Sequence, residues 1–109
     1  MKRVLDHIGV LQYLRTLTSR EQKSLISNAP RQLLLTLSEI ALNIIARNIT
    51  LTSFQIAKLK RFEKKIVALA QKKITLSKRK QIIRGGSFLK NFLDSILPPL
   101  ILALSRQKK

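Results

Sequence analysis

The sequence contains no cysteine, a single histidine and only five acidic residues. The absence of cysteine excludes disulfides, thiol catalysis and cysteine-ligated zinc. The carboxylates are scattered, and Asp6 and His7, although adjacent in sequence, do not face each other on a helix. A general acid–base pair or a metal site is therefore hard to build from these residues. We expect no catalytic residues, no metal, no cofactor and no enzymatic activity.

Glycine and proline are scarce, with three residues of each, and so are natural breaks in the chain. A leucine-, isoleucine- and lysine-rich chain of this kind is typical of an all-α protein. Long apolar runs are missing too, since the longest, LILAL at 100–104, falls well short of the ~20 residues that span a bilayer. Asp6 and His7 interrupt what would be the apolar part of a secretory signal. We therefore expect neither a membrane-spanning helix nor a signal peptide.

What the sequence does have is positive charge. Its 22 lysines and arginines give a formal net charge of +17, while 45% of its residues are hydrophobic. Disordered polycations contain fewer apolar residues, because they do not offset chain entropy by burial. A folded core that carries so large a charge predicts a polyanionic partner, with nucleic acid first and an anionic membrane second.

Apolar spacing and helix-capping motifs predict a small bundle of about five to six helices. The expected ranges are about 4–17, 18–28, 30–48, 53–73 and 78–84, followed by an amphipathic C-terminal helix within 87–109 that Pro98–Pro99 interrupts. The helix over 30–48 is apolar almost all round, which is typical of the buried centre of a bundle. Thr18–Glu21 and Thr52–Gln55 have the spacing of capping boxes.

The phrase ITLT at 49–52 recurs as ITLS at 74–77. We interpret both copies as the same device, an apolar anchor followed by a helix N-cap, which places the second cap at Ser77. Two copies are too few to indicate a solenoid.

The positive charge is concentrated in residues 58–84, where eleven bases accompany the single acid Glu63. A cationic face of this density repels itself unless a polyanion neutralises it, and a mixed-sign surface would serve solubility better. Phe54 and Phe62 are expected in the core or at its boundary, so no stacking platform for single strands accompanies the bases. The expected contacts are therefore to phosphates of double-stranded DNA, without sequence reading. The predicted nucleic-acid-binding residues are Lys58, Lys60, Arg61, Lys64, Lys65, Lys72, Lys73, Lys78, Arg79, Lys80 and Arg84.

Residues 87–109 form an apolar tail after the basic helical domain of residues 1–84. One helical face of the tail is apolar throughout. Its members are Phe88, Leu89, Phe92, Leu93, Ile96 and Leu97. Such a face is consistent with insertion into a bilayer, with binding to a capsid protein, or with completion of the helical core.

The string Ile83-Arg84-Gly85-Gly86-Ser87 separates the two parts. Glycines at a helix end favour a stop and a hinge, because they adopt left-handed dihedral angles at little cost. The string also resembles the cleavage pattern of adenovirus-type cysteine proteases, in which Met, Ile or Leu is followed by any residue, Gly-Gly and the cut. The cut would fall between Gly86 and Ser87.

Residues 30–104 resemble a family of small basic virion proteins from Polinton/adintovirus-type elements, relatives of the adenovirus core protein X (the Mu precursor). The resemblance is carried by ALNIIARNITLT, LKRFEKKIVALAQKKITLSKRKQIIRGG and SFLKNFLDSILPPLILAL. Residues 1–29 are not covered, and Ser87 stands where family members often have phenylalanine. The resemblance implies a protein packaged with double-stranded DNA, found in the virion and in the host nucleus during assembly, and matured by an adenovirus-like protease.

Three functions follow as hypotheses. The first is a non-enzymatic virion core protein that binds and condenses double-stranded DNA without sequence specificity. The second is a membrane-active minor capsid protein, analogous to adenovirus protein VI, that acts through residues 87–109. The third is a basic helical adaptor whose tail completes the core. Capsid proteins or a membrane are further expected partners, and a homo-oligomer remains open.

Overall fold

The computed structural model describes residues 2–84 and 87–107. Within these residues the chain forms eight α-helices and no strand, which confirms the all-α prediction and corrects the expected number of about five to six helices. The helices are α1 (Lys2–Asp6), α2 (Ile8–Thr16), α3 (Ser19–Ser27), α4 (Arg31–Ile45), α5 (Ser53–Lys60), α6 (Glu63–Ala70), α7 (Leu76–Arg84) and α8 (Phe88–Gln107).

The additional helices arise because two predicted helices are each broken once. The breaks lie at His7, between α1 and α2, and at Arg61–Phe62, between α5 and α6. Helix α1 packs against α4 whereas α2 packs against α8; likewise α5 packs against α8 whereas α6 packs against α4. Each break therefore lies where the chain passes from one central helix to the other. The apolar periodicity continues across both breaks, so the sequence does not reveal them.

Helices α4 and α8 supply much of a single hydrophobic core. The expected burial of α4 is seen at Leu34, Leu37 and Ile40, although Leu42 and Ile45 at its far end are exposed. In α8 the Phe88 ring meets Phe62 edge-on, with 5.5 Å between ring centroids. Aromatic pairs in this geometry add to the free energy gained by burial alone. The C-terminal segment is thus part of the same core as the basic helices.

Helix α8 continues through Pro98 and Pro99, so the expected interruption was wrong. Proline lacks the N–H that would bond to the carbonyl four residues earlier, and it costs about 3 kcal/mol inside a helix. Leu97 on one side of the pair and Leu100 and Leu104 on the other are all buried. Burial of each such side chain contributes about 1.5–3 kcal/mol, so packing on both sides offsets the cost of the prolines.

Both predicted capping boxes are confirmed. The Thr18 amide donates to Glu21 Oε1 at 2.9 Å while the Glu21 amide donates to Thr18 Oγ1 at 3.2 Å. Thr52 and Gln55 make the same reciprocal pair at 2.8 and 3.2 Å. The two motifs set where α3 and α5 begin.

The prediction of a cap at Ser77 was wrong. Helix α7 begins earlier, at Leu76, and Thr75 Oγ1 accepts the Lys78 amide at 3.1 Å. The fourth residue of the phrase at 49–52 caps its helix, whereas in the phrase at 74–77 the second residue does. The two copies are therefore used in different registers, because a threonine stands at the second position of each and either hydroxyl position can cap.

Candidate nucleic-acid interface

The basic residues of 58–84 are carried by α5, α6, the α6–α7 connection and α7. Eight of the eleven predicted side chains are exposed: Lys58, Lys60, Arg61, Lys64, Lys72, Lys73, Lys78 and Arg84. Lys65 and Lys80 are half-buried. These ten residues are called the basic surface below.

The apolar faces of the same helices hold these side chains outward. Helix α6 buries Ile66 and Leu69 on the side that packs against α4, and α7 buries Ile82 and Ile83. Helix α5 buries only Leu59. Opposite each buried set lie the lysines and arginines, which is the arrangement of an amphipathic helix. Ile56 in α5 is apolar but 54% exposed.

Two cations of the basic surface lie over aromatic rings. The guanidinium carbon of Arg61 is 4.8 Å from the centroid of the Phe62 ring, and Lys65 Nζ is 5.9 Å from that of Phe88. A cation over the face of a ring is attracted by its quadrupole. Both rings are buried and contact each other, so these two positive charges have defined places at the edge of the core.

Phe54 was expected in the core or at its boundary, and this was wrong. Its side chain is 76% exposed in the first turn of α5, because that helix turns little of its surface toward the core. Four residues on, Lys58 lies on the same side of the helix. One exposed ring is far less than the series of stacked aromatics that single-strand binding proteins use.

Arg79 does not belong to the basic surface, which corrects its predicted role in DNA contact. The side chain is only 6% exposed. Its Nε donates to Ser38 Oγ at 2.9 Å and its Nη1 to the Ile74 carbonyl at 2.7 Å. Nη2 lies at longer range from the carbonyl oxygens of Gln71 and Lys72, at 3.5 and 3.4 Å. A buried guanidinium is tolerated because its donors are satisfied in this way.

The sequence carried a signal for this burial. Arg79 precedes Ile82 and Ile83 by three and four residues, the spacing of side chains on one helical face. Arg79 has this spacing to both buried isoleucines and is buried with them, whereas Lys78, which has it to Ile82 alone, is exposed. Its hydrogen bonds fix the connection that carries Lys72 and Lys73, so Arg79 supports the basic surface without lying on it.

Helices α3 and α7 pack together and border an open cleft of about 480 Å³. The cleft is lined by Lys23, Ser77, Lys80, Gln81 and Arg84. Lys80 Nζ donates to the carbonyl of Ser27, the last residue of α3, at 3.1 Å. Lys23 was missed by sequence reasoning because it lies far from 58–84 along the chain, and the α3–α7 packing is not readable from periodicity.

Two acidic side chains, Asp94 and Glu21, have partners away from the basic surface. Asp94 accepts Arg15 Nε at 3.0 Å, which joins α8 to α2, and Glu21 caps α3. Hydrogen bonding from Thr18 lowers the pKa of Glu21 below its usual value. One carboxylate, that of Glu63, lies within 58–84. The basic surface therefore carries a large excess of positive charge.

The predicted cleavage string is described only in part. Ile83 is 1% exposed in the core, Arg84 ends α7, and Gly85 and Gly86 lie outside the described residues. Ser87 is exposed, and its carbonyl accepts the Asn91 amide at 3.2 Å. A protease that bound Ile83 in an extended substrate would have to withdraw this side chain from the core.

The six residues of the predicted apolar face of the tail are all buried. Phe88, Phe92, Leu93 and Ile96 have no exposed surface, and Leu89 and Leu97 have 5% and 1%. By length and composition one stretch, Phe88–Arg106, could cross a membrane, but half of that window is buried inside the fold. The core helix of a soluble protein meets the same criterion. In the folded chain this face is occupied by protein.

Among residues 2–84 and 87–107, no group of three or more His, Cys, Asp or Glu side chains is arranged to hold a metal ion. Comparisons of the chain with protein-family models, curated proteins and solved structures find no match.

Proposed function

We propose that the protein is a non-enzymatic, double-stranded DNA-binding protein that contacts the phosphate backbone through the basic surface and condenses the DNA without sequence specificity. The observation that carries the proposal is the set of eight exposed and two half-buried basic side chains on α5, α6, α7 and the connections between them, a stretch with one carboxylate, with the apolar faces of the same helices buried. Lysine and arginine contacts to phosphate supply affinity and leave the base edges unread.

The proposed setting is a virion in which the protein is packaged with its DNA, after assembly in the host nucleus. Support for this setting is the resemblance of residues 30–104 to the Polinton/adintovirus-type proteins. Maturation by an adenovirus-like protease between Gly86 and Ser87 belongs to the same proposal. Because Ile83 is buried, cleavage would require the end of α7 to open first. Co-expression with such a protease and intact-mass measurement test this step, which fails if no fragment ends at Gly86.

The membrane-active alternative is less well supported. The face that would enter a bilayer, from Phe88 to Leu97, is inside the core of the folded chain. Insertion would expose the surfaces of α2, α5 and α7 that α8 now covers. The DNA-binding proposal requires no such rearrangement, because the basic surface faces outward already.

A charge-matched pair of variants tests the proposed interface. The first replaces four exposed lysines of the basic surface, as Lys58→Gln, Lys60→Gln, Lys64→Gln and Lys72→Gln. The second removes four positive charges elsewhere, as Lys2→Gln, Arg20→Gln, Arg31→Gln and Lys90→Gln. All eight side chains are exposed, so both variants are expected to fold, as a thermal melt will show.

Binding to random-sequence duplex DNA is then measured against salt concentration. If each of the four lysines contacts a phosphate, the slope of log K against log salt is less steep by about 3–4 in the first variant than in wild type. The second variant keeps the wild-type slope to within about one. Equal losses in the two variants would mean that net charge alone, and not this surface, binds DNA.

A further inference from the structure

The cleft between α3 and α7 gathers positive charge from two parts of the chain. Lys23 comes from α3, and Lys80 and Arg84 come from α7. The two remaining lining residues, Ser77 and Gln81, supply a hydroxyl and an amide, and none of these five described lining residues carries a carboxylate. Hydrogen-bond donors of five side chains thus surround one opening.

The walls of this cleft are held by packing beneath it. A narrow pocket next to it is shared by Lys23 and Arg84 and has Ile26, Ile83 and Leu89 among its lining residues. These three apolar side chains are buried in the common core. The side chains of the two cations therefore border a packed apolar floor.

Lys80 is fixed from one side. Its Nζ donates one hydrogen to the Ser27 carbonyl at the C-terminal end of α3, at 3.1 Å. An ammonium group has three hydrogens, so two remain for a ligand in the cleft. A helix C-terminus also attracts a cation. The bond holds Lys80 toward α3, the helix that carries Lys23.

Charges of the same sign on the two walls repel each other. An anion between the walls would be attracted to both and would offset this repulsion. A tetrahedral phosphate group suits the site, because its several acceptor oxygens can take hydrogens from ammonium, guanidinium and hydroxyl donors together. We propose that the α3–α7 cleft is a discrete phosphate-binding site, and that in DNA binding it takes a backbone phosphodiester. The second part rests on the proposed function. It extends the DNA contact beyond residues 58–84 onto α3.

Inorganic phosphate is the probe, and thermal unfolding is the readout. A ligand that binds the folded state alone raises the Tm, and at about ten times its Kd the rise is roughly 5–10 °C for a domain of this size. The test variant is Lys23→Gln with Arg84→Gln, and the matched control is Lys90→Gln with Arg31→Gln, which lie outside the basic surface. All four side chains are exposed and each pair removes two charges.

Phosphate also stabilises proteins generally by exclusion from their surface, and that effect is common to all variants. If the cleft binds phosphate, wild type and control should show the same rise in Tm. The Lys23–Arg84 variant should lose the part of the rise that exceeds the general effect of phosphate. Equal rises in the three proteins would overturn the site.

The same proteins separate this inference from the proposed function. Duplex DNA binding that is steep in salt but unchanged in the Lys23–Arg84 variant would overturn the use of the cleft and leave DNA binding in place. A phosphate-dependent rise in Tm without duplex binding would retain the phosphate site and overturn the proposed function.

Discussion

Arg79 Nε donates a hydrogen bond to Ser38 Oγ at 2.9 Å and so joins α7 to the central helix α4. In the run Lys78–Arg79–Lys80, the two lysines reach the surface while the arginine between them is buried. Positive charge in this protein therefore has two uses. Most of it is displayed outward, and one arginine holds the connection that displays part of it.

Replacement of Arg79 by lysine is expected to destabilise the fold. Lysine has one nitrogen in place of three and cannot reach Ser38 and the carbonyls of the α6–α7 connection together, which leaves buried groups unpaired. We expect a loss of about 2–3 kcal/mol in the free energy of unfolding, measured by urea denaturation. The control Lys78→Ala should change it by less than about 0.5 kcal/mol. An Arg79→Lys protein as stable as wild type would show that these bonds are dispensable.

Substitutions on the buried face of α8 are expected to destabilise the fold, whereas substitutions on its exposed face are expected to have little effect. Phe92 has no exposed surface whereas Leu102 is 55% exposed. Phe92→Ala should lower the free energy of unfolding by about 3–5 kcal/mol, because it leaves a cavity in the core. Leu102→Ala should change it by less than about 1 kcal/mol. Equal effects in chemical denaturation would contradict the docking of α8.

Arg47 has a left-handed backbone, with φ of 61°, just after the end of α4. The Asn48 amide donates to the Asn43 carbonyl at 2.9 Å and the Arg47 amide to the Ile44 carbonyl at 3.1 Å, which is the Schellman pattern in which glycine is usual at the position of Arg47. Arg47→Gly should therefore raise the free energy of unfolding by about 1 kcal/mol. Arg47→Ala removes the same charge but keeps the strain, and a matching gain in that control would refute the backbone explanation.

Glu21 is expected to give the fold a dependence on acid pH. Its carboxylate accepts the Thr18 amide, which lowers the pKa of Glu21 below 4.5 in the folded state. The contribution is complete well above pH 4.5, the ordinary pKa of this carboxyl, and disappears as the pH falls through the lower folded-state value. Glutamine at this position does not titrate. On acidification the free energy of unfolding of wild type should therefore fall relative to that of Glu21→Gln. Unfolding curves taken across this pH range would contradict the cap's role if the difference stayed constant.

Local chemistry made part of the fold predictable. Thr18 and Thr52 cap helices where their spacing from Glu21 and Gln55 indicated, because a capping box involves only neighbours in sequence. The break at Phe62 was not predictable, since it depends on which central helix each half meets. The cap at Thr75 was not predictable, because two similar phrases do not reveal their different registers.

The residues of the candidate site likewise fall into those that the sequence predicts and those that it does not. The outward lysines of α5 and α6 follow from helical periodicity. The burial of Arg79 is indicated by its helical spacing to Ile82 and Ile83 and not by its charge. Lys23 depends on the packing of α3 against α7, a contact between distant parts of the chain that no local pattern contains.

The salt dependence of binding to random-sequence duplex DNA tests the proposed function most directly. If about six residues of the basic surface contact phosphates, log K should fall against log salt with a slope of about −5. The slope should be the same on duplexes of unrelated sequence, because the contacts are to the backbone. An affinity that is flat in salt, or no measurable binding at low salt, would contradict the assignment of this surface to DNA.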